Sequence, residues 1–253
     1  MLQILQEGDS KMTIWDNLKQ KIISCFIEEQ RYMYIVKGLQ TTILVTILAL
    51  LLGLVIGILV AVVRTAHDQM AKKKLSGISG AVLKIINAIC EVYLTVIRGT
   101  PAMVQLLLMF FVFMASSNNK VLVAVLTFGI NSGAYVAEIF RSGIMSIDIG
   151  QMEAGRSLGL SYAKTMQKII LPQAIKNVLP ALVNEMITLL KETSICGYIG
   201  LNELTRGGDI IRGITFEALT PLLVVALIYL IIVMFFTWVM GKLERRLRES
   251  DNR

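Results

Sequence analysis

The chain has 253 residues, of which 55% are hydrophobic and 17% charged, and its mean hydropathy is +0.67. A soluble domain carries about 25% charged residues, so this balance excludes an ordinary soluble enzyme, a disordered chain and a small disulfide-built secreted protein. The formal net charge of +7 falls in short basic clusters between apolar runs, the pattern of cytoplasmic loops rather than of a nucleic-acid surface.

Residues 1–37 balance five basic against five acidic groups. Trp15, Leu18, Ile22 and Phe26 recur at helical spacing and predict an amphipathic helix on the outer membrane interface. Glu7 and Asp9 precede any apolar run, unlike a cleavable signal peptide. No charge lies between Lys37 and Arg64, and Ile43 to Val63 supplies the roughly 20 apolar residues that one span needs. Gly53-x-x-x-Gly57 within it permits close helix packing.

The apolar stretch Ile85 to Ile97 is short and contains Glu91, so it reads as a helix along the inner membrane face. It leads into a second span between Arg98 and Lys120, with Thr100 as N-cap and Pro101 at the first helical position. Val121 to Ala137 is the third span. Val178 to about Leu201 is the fourth, interrupted by Glu185, Lys191 and Glu192; ionisable groups at membrane depth point to function. Ala218 to Gly241 is the fifth.

Arg64, Lys72, Lys73, Lys74 and Lys84 follow the first span, Arg141, Arg156, Lys164, Lys168 and Lys176 the third, and five more basic residues the last. Positive charge stays inside. The expected fold is therefore an all-α membrane protein of five transmembrane helices, N-terminus outside and C-terminus cytoplasmic. An outer amphipathic extension (1–37) precedes a five-span domain (38–248) with a cytoplasmic loop at about 142–176, and a cytoplasmic tail (249–253) follows.

That loop is more structured than a connector needs to be. Asp148 and Gln151 are spaced as a capping box, predicting a short helix over about Gln151 to Leu158 that Gly159 ends. Ser161 can cap a second helix, and Pro172 marks a bend near its end. Two short helices outside the bilayer form a rigid knob for a cytoplasmic partner.

Glu153-Ala154-Gly155, three residues, Gly159, nine residues, then Ile169-Ile170-Leu171-Pro172 resembles the E-A-A-x3-G-x9-I-x-L-P signature of bacterial ABC-importer permeases. Gly155 departs from the Ala common in that family, at about 1 kcal/mol of helix propensity. Arg98-Gly99-Thr100-Pro101, the run from Ala134 to Arg141, and Lys191-Glu192-Thr193-Ser194 are similar to the polar amino acid branch. The resemblance covers roughly residues 35 to 248. It implies a type I ABC-importer permease fold in the bacterial cytoplasmic membrane. It also implies a second permease subunit, the same or different, an extracytoplasmic binding protein, and a cytoplasmic ATPase that holds ATP and Mg. Gln151, Glu153, Ala154, Gly155, Gly159 and Pro172 would couple to that ATPase. No cofactor is implied for this chain, and no G-x-x-x-x-G-K-[ST] occurs in it, so its energy comes from a partner.

An amino acid zwitterion needs partners for both of its charges inside a membrane. Asn131, Glu185, Thr188, Glu192 and Ser194 are the candidates: acids for the ammonium, Ser194, Thr193 or helix-end amides for the carboxylate. A buried structural network is the alternative role, with Lys191 paired to a carboxylate elsewhere. Glu138 and Arg141, at i,i+3, read as a local ion pair. Arg156, Lys164 and Lys168 read as solvated or headgroup-facing charges. His67 has no metal-site spacing and reads as a loop residue, and no metal ligand set is expected. Cys25, Cys90 and Cys196 read as small core residues. Two rival functions remain: a permease for another small solute, and an uncoupled channel or structural membrane protein.

Overall fold

The computed structural model describes residues 14–71 and 78–249, and every regular element among them is a helix. α1 (Ile14–Ile22) runs into a π-helical turn (Ile23–Ile27) and then a corner at Glu29 and Gln30, both at positive φ. α2 (Tyr32–Ala71) follows. Its 40 residues make a rod of about 60 Å, twice a bilayer core. Then come α3 (Ile78–Gly99), α4 (Ala102–Leu108) with a π turn (Met109–Phe113), and α5 (Lys120–Met145). α6 (Ile149–Ser157) and α7 (Tyr162–Thr165) form an elbow. A π turn (Met166–Ile170) joins α7 to α8 (Leu171–Glu192), which carries Pro180 in its interior. A tight turn (Thr193–Ile199) precedes α9 (Leu204–Thr215) and α10 (Leu219–Glu249). The basic run Lys72–Lys74, residues 1–13 of the expected extension and nearly all of the expected tail lie outside the described residues.

Among the described residues, four helices are long and apolar enough to cross a membrane: Tyr32–Asp68, Gly80–Gly99, Lys120–Met145 and Leu219–Arg246. The expected fourth span is not one of them, because Glu185, Lys191 and Glu192 lower the hydropathy of α8. Two further expectations change. The expected second span is not one crossing helix, because α4 and its π turn hold only Ala102–Phe113, about 18 Å of rise. In its place the stretch expected to lie along the membrane face is a 22-residue helix of about 33 Å, long enough to cross. Its charge is balanced by pairing: Glu91 bonds Arg64 at 3.0 Å and accepts from Asn87 at 3.1 Å. Cys90, Leu94 and Ile97 of α3 pack against Val60 and Val63 of α2, whereas Leu106 of α4 packs beside Val45 and Ala49. The two helices therefore cover successive levels of α2, broken at Gly99-Thr100-Pro101. Pro101 rather than Thr100 holds the N-cap place, with ψ at 136°.

The centre is the α2–α5 pair. A Cβ on Gly53 or Gly57 would come within 2.9 Å of Ser132 or 2.5 Å of Val136, and one on Gly129 or Gly133 within 2.6 Å of Leu52 or 2.8 Å of Ile56. The Gly53-x-x-x-Gly57 notch is thus filled inside the chain, by a matching notch on α5. Phe128, Val123, Leu189 and Cys196 close the core beside it. At the Tyr32 end, α9 crosses α2 just as closely: a Cβ on Gly207 would sit 2.6 Å from the Tyr34 carbonyl oxygen. α10 lies outermost, with Leu223, Leu227, Leu230, Met234, Phe235 and Trp238 exposed. That apolar surface suits lipid. All three cysteines are buried and free.

Candidate functional site

The elbow between α5 and α8 is built from local backbone chemistry. Asp148 caps α6, its Oδ1 accepting from the Gly150 N–H at 2.6 Å. Gly159 stands at φ +82°, a conformation that glycine reaches without the penalty of a side chain. Around it the Gly159 N–H donates to Arg156 O and the Leu160 N–H to Gly155 O, at 3.0 and 3.2 Å. This pairing satisfies the last carbonyls of α6. Ser161 caps α7, accepting from the Lys164 N–H at 3.4 Å. Pro172 differs from expectation. It does not end a helix but sits in the first turn of α8, where a missing N–H is tolerated, and the preceding π turn carries the helix through.

Gly155 is buried against α7. A Cβ there would meet Thr165 Cγ2 at 2.5 Å and Ile169 Cδ1 at 3.0 Å, and Thr165 is itself fully buried. The glycine that departs from the family pattern is what allows α6 to lie flat on the next turn. Gln151, Glu153, Ala154 and Gly159 are all exposed, and Leu158 and Ile149 stand out from the same knob at 83% and 65% exposure. Behind it lies a cleft of about 600 Å³ bordered by Asp68, Arg141, Met145, Tyr162 and Met166. The Tyr162 hydroxyl is buried there without a partner, and burial pushes its phenol above the ordinary range.

The membrane-depth candidates separate into two groups. Asn131 is buried and donates to Gln105 Oε1 at 2.9 Å. The Gln105 amide in turn donates to Ile97 O at 2.8 Å, Thr100 O at 3.1 Å and Thr100 Oγ1 at 2.8 Å. One glutamine thus stitches the α3–α4 break to α5. Glu185 accepts from the Ser132 hydroxyl at 2.8 Å, also between helices. These groups are engaged inside the bundle. Thr188 is exposed, and it shares its face with Asn184 and Lys191, also exposed. Spacings of four and three residues place the three in one stripe along α8. Sequence reasoning did not single out Asn184 or Lys191 as members of a common face. Their signal was the helical spacing from Thr188, readable only once the opposite face of α8 is known to meet α5.

Beyond Lys191 the stripe opens into a groove. A cavity of about 370 Å³ borders Lys191, Ser194, Thr205 and Tyr229, and one of about 490 Å³ borders Ser194, Thr205, Arg206, Asp209 and Arg212. Ser194 and Thr205 belong to both, so the groove is continuous to the rim. There Asp209 is held by Arg206 at 2.7 Å and by Arg212 at 2.5 Å. Glu192 is half-buried and is not among the residues that line either cavity.

Glu203 is a residue that the sequence analysis did not single out. It is buried and caps α9, its carboxylate accepting from the Thr205 and Arg206 N–H groups, both at 2.7 Å. Burial pushes its carboxyl above the usual range, while these donors and Tyr229 pull it back. Glu138 and Arg141 pair at 3.6 Å as expected, within a wider set that adds Asp68 to Arg141 and Arg98 to Glu138, each at 3.7 Å. His67 lies on α2 rather than in a loop, 3.9 Å from Asp68.

A bundle with several helices able to cross a membrane, an exposed elbow and a helix with one exposed polar face is the form of a transport permease. Residues 75–249 match the family of binding-protein-dependent transport system inner membrane components, and the chain belongs to that family. It is 38% identical over 192 residues to the arginine transport system permease protein of Bacillus subtilis (strain 168), covering 70% of this chain and 88% of the relative. The glutamine transport system permease protein of Escherichia coli (strain K12) is 42% identical over 168 residues, covering 65% and 77%. The solved structure of an amino acid ABC transporter with histidines superposes with a TM-score of 0.76 at 39% identity, covering 87% of this chain and 98% of that one. A methionine ABC transporter in inward-facing conformations shares the fold, with a TM-score of 0.70 at 20% identity and coverage of 85% and 96%.

Proposed function

We propose that the chain carries polar amino acids across the bacterial cytoplasmic membrane, inward, as one of two permease subunits, either identical or different. A separate ATPase chain, holding ATP and Mg, docks on the α6–α7 elbow through Gln151, Glu153, Ala154 and Gly159, while the buried Gly155 seats α6 on α7 and Pro172 stands at the root of α8. An extracytoplasmic binding protein delivers the solute at the opposite end. The chain itself makes no covalent bond. The topology that goes with this reading has five crossings, α3 and α4 counting together as one, with the N-terminus outside and the C-terminus in the cytoplasm. The basic surplus around Arg141 to Lys176 supports that orientation.

The observation that carries the reading is the elbow: a capped, rigid knob whose polar and apolar side chains face away from its own chain. The stripe of α8 and the groove beyond it supply the path. In this reading Lys191 faces the solute carboxylate, Glu192 receives the ammonium, and Thr188, Asn184 and Ser194 replace water around both. Exposed polar groups on a membrane helix are costly against lipid and are at home along a hydrated passage. The names of the relatives support amino acids as the cargo class.

Affinity capture of the tagged permease from mild detergent tests the docking. A P-loop ATPase should co-elute in stoichiometric amount and be lost on Glu153→Lys with Gly159→Val. Capture without an ATPase, under conditions that preserve a control transporter, refutes the coupling.

A further inference from the structure

We infer that α1 is a surface brace lying in the headgroup layer of the membrane, at the Tyr32 end of α2. Trp15, Leu18 and Ile22, at intervals of three and four, form one apolar face, exposed by 76%, 47% and 42%. Asp16, Asn17, Lys19 and Gln20 are exposed on the rest of the helix. Much of that face is thus left uncovered by the described residues, an apolar surface of the kind that a partner or lipid covers.

Three features identify the cover as lipid. First, α1 joins the end of a helix that crosses the membrane, and the apolar face continues through Ile23 and Ile27 to Tyr32, Tyr34 and Val36, then onto the exposed stripe Ile43, Leu44, Ile47 and Leu51 of α2. The surface that lipid covers on α2 is thus continuous with the uncovered surface of α1. Second, a tryptophan heads the apolar face, beside charges of both signs, the composition favoured where an amphipathic helix meets headgroups. Third, Glu29 and Gln30, at φ 51° and 55°, break the helical path, so α1 leaves the line of α2 instead of extending it into water. Arg31 locks that corner by donating to Ser24 O at 2.6 Å and pairing with Glu29 at 3.1 Å.

The brace is tied to the transport groove. Cys25 is fully buried and Phe26 packs with it against Leu204 and Ile211 of α9, while Lys21 pairs with Glu217 at 3.1 Å. α9 carries Arg206, Asp209 and Arg212 of the groove rim. Cys25 and Phe26 thus join the brace to the helix that carries the groove rim. The lipid contact itself holds whichever side of the membrane this end faces.

The test uses the full chain with Trp238→Phe, which leaves Trp15 as the single tryptophan, reconstituted in phosphatidylcholine vesicles. Nitroxide labels placed near the headgroup should quench Trp15 at least about twofold more than labels at the end of the acyl chain, because an interfacial helix sits about 5–10 Å deep. Aqueous iodide should quench it weakly. Adding Leu18→Glu and Ile22→Glu, at two exposed positions, should release Trp15 to iodide while the protein still folds. Quenching by iodide without quenching by lipid labels overturns the brace in favour of a solvated helix. Quenching by neither overturns it in favour of a protein cover, such as a second copy.

Discussion

The elbow and the polar face of α8 are joined end to end, yet they are held by opposite means. At the elbow every conformational decision is settled within a few residues: Asp148 caps one helix, Gly159 closes it, Ser161 opens the next. Its side chains are then free to face outward. Along α8 the backbone runs as one helix through Pro180 and carries no cap or closing glycine of that kind. What matters there is rotation, since Glu185 meets Ser132 inside the bundle while Thr188, three residues on, faces out with Asn184 and Lys191. A docking knob can be specified locally; a passage wall exists only relative to what packs on its other side.

The largest expected break in that contrast is Gly159→Val. A β-branched residue forced to positive φ costs roughly 1–2 kcal/mol or more, and the open space around Gly159 confines the damage to the elbow backbone. Solute-stimulated ATP hydrolysis by the assembled complex should fall at least about tenfold, given the 1.4 kcal/mol that corresponds to each decade, with membrane insertion unchanged by protease mapping. Gly159→Asn should retain most coupling, since asparagine tolerates that region.

Next is Gly155→Ala, expected to cost about 1–3 kcal/mol by overpacking against Thr165. Thr165→Ser deletes the clashing Cγ2, so the double variant should recover most of the loss in a thermal-melt cycle. Additive losses would mean that α6 does not lie where the structure puts it.

On α8 the two groups of residues should separate by readout. Lys191→Met should abolish amino acid uptake into vesicles with little change in melting temperature, whereas Ser132→Ala leaves the half-buried Glu185 without its donor and should cost about 1–3 kcal/mol of stability. Equal stability losses for the two would erase the distinction between wall and core. Gln105→Leu belongs with the core. It strands the Asn131 amide and frees the α3–α4 break, again about 1–3 kcal/mol, read as lower melting temperature and faster amide exchange at residues 97–105.

The smallest effect is expected from pH. Because burial raises the Glu203 carboxyl in the folded chain, the folded state binds that proton more tightly than the unfolded state does. Stability should fall as pH rises from the ordinary carboxylate range through the raised folded-state value, and then level off. Glu203→Gln should remove that slope from a series of melts. A slope unchanged in the variant would assign it to other groups.

Most of the elbow was legible in the sequence because caps and closing glycines act on their neighbours. Pro172 was misplaced for a related reason: proline is a local signal, but the π turn before it hides its cost. α3 was harder to see. Glu91 lowers any composition window, and its partner Arg64 lies on another helix. α9 went unread because Gly207 and Gly208 look like breakers, whereas they are there for the close approach of the Tyr34 carbonyl and Val225. The candidate acids of α8 were all identified, but which ones point inward is a long-range property that no spacing encodes.

The continuous run from Tyr162 through the π turn to Glu192 acts as a jointed crank. Its compliant joints are the π turn and Pro180, where one backbone hydrogen bond is missing. The arm beyond Pro180 is about 18 Å long. A tilt of about 10° at that joint would carry the Lys191 end about 3 Å, the span of one hydrogen bond. Under the proposed function, a small rotation delivered at the elbow would be enough to make or break a single contact with the cargo.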